Sequence, residues 1–149
     1  MSSRAPVLRP AYNSLYKSWG FELVEDYAFS IVGGGILTVP AGFLYDGASI
    51  PAAFWQLTFS PYDPRILAGA LVHDWLYTSK QVQRNIADAT LEKYLIEFDG
   101  GKFKSAIVKK AVQLFGSFAW QDTYIDRRYI NQLRATITSS GRSLAKYGL

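Results

Sequence analysis

From Phe21 onward, apolar and polar residues follow two successive periods, and the change of period divides the chain. The segments FELVED, YAFSIV and ILTVP are rich in aromatic and β-branched residues and are separated by breakers, as in a short antiparallel meander. The glycines at 33–35 supply the backbone freedom for a tight reversal between the second and third segments. Ahead of them, residues 1–13 read as an extended arm, with Pro6 and Pro10 opposing regular structure. Residues 27–45 carry no charge and approach bilayer-spanning length, but three glycines and Pro40 predict a hairpin there instead of a membrane helix.

Past residue 50 the apolar spacing becomes three and four, the period of helices. Ser49 before Ile50-Pro51 is placed to cap a short helix through Phe54 and Trp55. Asp63-Pro64 repeats the start signal for a helix over about 64–77. Thr78 and Gln81 have capping-box spacing for another over about 80–98, ended by Asp99-Gly100-Gly101. Residues 102 to about 122 place Ile107, Val108, Ala111, Leu114, Phe115 and Phe118 on one side. A last helix is expected over 124–138, followed by a Ser/Gly-containing tail at 139–149. The expected architecture is α+β in a single domain over 1–149, with a β-rich part at 20–50 and about four helices at 51–138.

Two helical stripes carry polar residues where apolar ones are expected. On 64–77, Ile66, Ala70, His73 and Tyr77 fall in one row, with Leu67, Leu71 and Asp74 beside it. So apolar a helix belongs in a core, and a buried aspartate needs a hydrogen-bond donor or a cation. On the next helix Arg84, Asp88, Leu91, Leu95 and Phe98 share a row, flanked by the small residues Ala87 and Ala89. At about 1.5 Å rise per residue, His73 and Asp88 differ by only about 5 Å in height on an antiparallel pair. Asp46, in the loop LYDGASIP, is the third acid of the constellation.

Two chemistries suit these residues. In one, His73 and Asp88 are the catalytic pair: Asp88 orients the imidazole, which takes a proton from water. Asp74 and Asp46 then hold a hard divalent cation, calcium or another, with loop carbonyls completing the oxygen shell. In the other, His73 and carboxylates bind a transition metal directly, although one histidine with acids makes a poor zinc set. Against both stands a structural reading. There, Arg84 and Asp88 are a helix-surface ion pair, Asp46-Gly47 is turn chemistry, and His73 is a satisfied core histidine.

Composition narrows the field. The chain has 49% hydrophobic residues and no cysteine, which excludes disorder, disulfides and thiolate chemistry. The first thirteen residues contain no apolar run of the kind a secretory leader needs, so synthesis in a host cytoplasm is expected. Residues 101–149 hold nine Lys/Arg and two Asp/Glu, a balance of +7, whereas residues 1–100 balance at −3. That basic third, with Arg127, Arg128, Arg134 and Arg142, suits a solvated helical surface, an acidic partner or nucleic acid.

At these residues the sequence resembles a domain of unknown function common in tailed phages and prophages. That family is marked by a D-G-A-S-[IV]-P loop, an H-D-x-[LI]-Y helix and a following helix with an A-D pair. Here these are residues 46–51, with Gly47 and Ser49 in the loop, residues 73–77, and Ala87 with Asp88. The resemblance covers roughly residues 36–98 and implies a virion-associated protein of the tail or host-entry apparatus, with other virion proteins or copies of itself as partners. A second similarity, to the H-D-x-x-Y helix of the phospholipase A2 group, implies His73 as base, Asp74 as calcium ligand and Asp88 as the acid that orients the histidine. The expected function is therefore a His/Asp hydrolase-type site acting on an ester or amide. A purely structural tail or capsid component, or a DNA-contacting packaging or ejection protein, are the alternatives.

Overall fold

The computed structural model describes residues 4–46, 63–121 and 123–149. Strands β1 (Leu8–Asn13), β2 (Ser18–Leu23), β3 (Tyr27–Ser30), β4 (Ile36–Val39) and β5 (Leu44–Tyr45) precede the helices. Those are α1 (Pro64–Ser79), α2 (Arg84–Glu97), α3 (Lys102–Phe115), the short α4 (Ser117–Trp120) and α5 (Tyr124–Ser139), with a closing 3-10 turn at Leu144–Tyr147. The α+β reading holds. The loop residues Gly47 and Ser49, and the short helix expected near Phe54, lie outside the described residues.

The strands form two small antiparallel sheets instead of one meander: β1-β2-β5 and β3-β4. The glycines at 33–35 reverse the β3–β4 hairpin with positive φ at each position, as expected. The extended arm is corrected. Its second half is β1, paired with β2 from Leu8 opposite Leu23 to Asn13 opposite Ser18. Pro10 is compatible with that strand because β1 lies at the sheet edge, where a missing N–H costs no ladder bond.

Helix α1 begins as expected, Asp63 accepting from the Arg65 N–H at 2.9 Å with Pro64 in the first turn. Ten of its sixteen residues are buried, around its whole circumference. One side meets the sheets, where Trp75 stands edge-on to Phe43 at 5.2 Å within the main core. Its other side meets α2 and α3 through Ile66, Leu91, Leu95 and Val108. Gly69 makes that approach possible, since a Cβ there would stand 3.0 Å from a Leu91 methyl.

Other boundaries differ from expectation. Thr78 lies inside α1, and Gln81 donates to the Tyr147 carbonyl at 3.0 Å, so no capping box opens α2. Its cap position is Gln83, without a side-chain bond. The helix expected over 102–122 is interrupted at Gly116, and Leu114 is exposed instead of sharing the buried side of Val108 and Ala111. Helix α5 opens with a capping box formed by Thr123 and Asp126, a signal the sequence reading passed over.

The segment 139–149 is no loose tail. Tyr147 is buried, and its hydroxyl donates to Asp26 at 2.9 Å. Asp26 also accepts from Lys146 at 2.8 Å and from the Ala41 N–H at 2.8 Å. Burial alone would raise the Asp26 carboxyl, but these three bonds outweigh it and hold it below the usual carboxylate value. Its stabilisation is therefore full above the unfolded pKa and is lost as the pH falls through the lower folded value. Asp26→Asn is expected to cost about 1–3 kcal/mol at neutral pH and to flatten the acid limb of stability, read by urea melts between pH 3 and 7.

Candidate functional site

Asp46 is delivered by β5 at the point where that strand crosses close to β2. Gly20 of β2 permits the crossing, because a Cβ there would stand 2.3 Å from the Tyr45 carbonyl oxygen and 2.7 Å from Asp46 Cα. The Tyr129 hydroxyl from α5 receives the Leu44 N–H at 2.7 Å, and the Tyr45 hydroxyl donates to the Leu67 carbonyl at 3.1 Å. Residue 46 is thus tied to α1 and α5 through its two neighbours. Asp74, on α1, faces the same cavity of about 210 Å³.

His73 and Asp88 meet, as the rise along the two helices suggests. The imidazole Nε2 stands 2.8 Å from Asp88 Oδ1, and the Tyr77 hydroxyl donates to the same oxygen at 2.7 Å. Asp88 is 2% exposed, so the surface ion pair with Arg84 is not what occupies it. Arg84 comes only to 3.8 Å of the other carboxylate oxygen. It donates instead to the Tyr77 hydroxyl at 3.2 Å and to the Val112 and Gln113 carbonyls at 3.0 and 2.7 Å. Those carbonyls belong to the last turn of α3, where helical donors run out; the Val112 carbonyl also accepts the Gly116 N–H at 2.7 Å. The break at Gly116 is part of the same arrangement: a Cβ there would meet the Tyr77 hydroxyl at 2.8 Å and Arg84 Nη2 at 3.3 Å.

The direction of these bonds settles the imidazole proton. Arginine can only donate, so the Tyr77 oxygen accepts from Arg84 and gives its own proton to Asp88. A carboxylate only accepts, so Nε2 of neutral His73 carries the hydrogen and Nδ1 keeps a lone pair. Burial and Asp88 hold the Tyr77 phenol above its ordinary pKa, which keeps it a donor at neutral pH. Nδ1 lies 3.8 Å from Asp74 Oδ1, too long for a direct hydrogen bond. Asp74 and Tyr77 line the cavity; His73, with 10% of its side chain exposed, stands immediately behind them.

Electrostatics couple the two layers. Burial pulls the His73 pKa down, but Asp74 and Asp88 outweigh it and leave the imidazole a stronger base than usual. Burial pushes the Asp74 carboxyl up to about 6, with the nearby Asp46 charge adding to the rise while His73 opposes it. Burial likewise raises Asp46. Two carboxylates on one cavity favour a positive charge between them. Oxygen donors of this type suit a hard cation, yet among the described residues no group of three or more His, Asp or Glu side chains could hold a metal. An ion at Asp46 and Asp74 would need backbone or water oxygens for the rest of its shell.

Fold and site together define an α+β domain in which adjacent antiparallel helices present a His–Asp pair behind an acid-walled cavity. A family model described as a protein of unknown function (DUF1353) matches residues 21–112, and the chain belongs to that family. The match begins earlier and ends later than the motif-bearing span of 36–98, taking in the end of β2, all of β3 and most of α3. The uncharacterized protein y4jT of Sinorhizobium fredii is 37% identical over 60 residues, 40% of this chain. The chain spans only 18% of that relative's length. No solved structure matches.

Proposed function

We propose that the chain is a virion-associated protein of a tailed phage, of the tail or host-entry apparatus, bearing a His–Asp hydrolase-type site. The observation that carries the chemical half is the bond network at Asp88, which fixes the proton on Nε2 and leaves Nδ1 basic. His73 Nδ1 takes a proton from a water that attacks an ester or amide carbonyl; Asp88 stabilises the imidazolium formed, which returns the proton to the departing alcohol or amine as the C–O or C–N bond breaks. Asp74 and Asp46 face the reacting group from the cavity wall. A divalent cation, when bound there, supplies polarisation of the carbonyl. The virion placement rests on the D-G-A-S-I-P, H-D-W-L-Y and A-D motifs and their resemblance to phage-encoded proteins.

A general base must be unprotonated, and the surroundings of His73 raise its pKa above the ordinary 6.5. Hydrolysis is therefore expected to rise with pH through an apparent pKa above 6.5, and to be lost as pH falls below it. Initial rates on phospholipid vesicles, cell-wall fragments and simple esters between pH 5 and 9, with calcium, magnesium or neither, check this. No turnover of any of them across that range would overturn the chemical half.

One observation favours a structural virion component as the second reading. Trp19 and Tyr12 are 69% and 50% exposed and pair across β1 and β2 at 5.6 Å, a surface suited to a subunit contact. A DNA-contacting role through Arg127, Arg128, Arg134 and Arg142 predicts strongly salt-dependent binding. No helix among the described residues is long and apolar enough to cross a membrane.

A further inference from the structure

We infer that the cavity beside His73 takes an organic ammonium group, held between Asp46 and Asp74 and enclosed by tyrosine rings. The inference rests on the hydrolase reading for its chemistry, and gives the substrate itself the positive charge that a metal ion would otherwise bring. Three observations converge on it. The charged residues among the described lining are both acids, Asp46 and Asp74. Tyr16, Tyr45, Tyr77 and Tyr129 come to the same cavity from the β1–β2 turn, β5, α1 and α5. Carboxylates combined with aromatic rings are the surroundings that bind ammonium groups in preference to neutral ones of the same shape. Finally, His73 is nine-tenths buried and places Nδ1 3.8 Å from Asp74 Oδ1, so the imidazole backs the acidic wall of the cavity.

Size and donor number favour an organic cation over a bare ion. At about 210 Å³ the cavity is far larger than the roughly 30 Å³ share of one water. Among the described residues there is also no third acid or histidine to complete a metal set. An alkylammonium needs less, since two carboxylates neutralise it and accept its hydrogens while the rings cover its carbon chain. The substrate class implied is an ester or amide carrying an amine close to the bond that breaks.

Titration calorimetry of the whole chain with n-butylammonium chloride tests the idea, with n-butanol and calcium chloride as parallel arms. Saturable n-butylammonium binding is expected, at least tenfold weaker for n-butanol and at least tenfold weaker in Asp74→Asn and Asp46→Asn, with thermal melts showing each variant folded. Equal binding of n-butanol, or binding unchanged in both variants, overturns the inference. So does calcium binding at these acids that n-butylammonium cannot displace. His73→Gln separates this inference from the reading beneath it. Hydrolysis by the native chain without ammonium binding sinks the inference alone. Ammonium binding retained in native and His73→Gln chains, with no hydrolysis by either, sinks the hydrolase reading alone.

Discussion

His73→Gln is expected to lower hydrolysis by about 10²–10⁴-fold, the range typical of removing a positioned general base, while the fold persists. A glutamine amide can still donate to Asp88 Oδ1, which His73 reaches at 2.8 Å in the native chain. It carries no basic nitrogen, so water in the cavity loses its proton acceptor. Paired rates and thermal melts discriminate the outcomes: a large fall in rate with a small fall in Tm supports a chemical role. A fall in Tm with unchanged rate would make His73 a packing residue and leave the structural reading of the chain.

Asp88→Ala is expected to act on stability first. The carboxylate is 2% exposed and accepts from both His73 and Tyr77. Removing it leaves a hydroxyl and an imidazole N–H buried without acceptors, and the Arg84 guanidinium without its nearby charge. Breaking a buried pair in this way costs about 3–5 kcal/mol, a large share of the stability of a domain this size. Equilibrium urea unfolding measures it; a cost below about 1 kcal/mol would mean that solvent enters and replaces the lost acceptor. Asp88→Asn separates geometry from charge. It keeps the volume but no longer forces the imidazole hydrogen onto Nε2, so nitrogen chemical shifts of His73 should report a mixture of tautomers.

The juxtaposition of His73 and Asp88 was legible because helix geometry is regular: equal rise on two antiparallel helices brings residues equidistant from a turn together. The same regularity revealed the Asp63-Pro64 start and the burial of α1. What escaped depends on distant partners. Pro10 argues against a strand locally, but becomes acceptable once β1 is known to be an edge. The Thr78/Gln81 spacing has the right letters, yet Tyr147, far along the chain, claims Gln81. Nothing local to Arg84 says that it will cap α3 instead of pairing openly with Asp88 four residues on. Gly116 gives a break signal whose meaning appears only when Tyr77 and Arg84 are seen against it.

That glycine lies more than forty positions along the chain from His73, yet any larger residue there would press on the Val112 carbonyl and then on the phenol and guanidinium whose hydrogen bonds lead to Asp88. Gly116→Ala should therefore register as a shifted His73 titration in proton-detected spectra, although no atom of residue 116 belongs to the cavity wall. An interruption between two helices thus lies against the hydrogen-bond chain that ends on a ring of a third, two bonds removed from it.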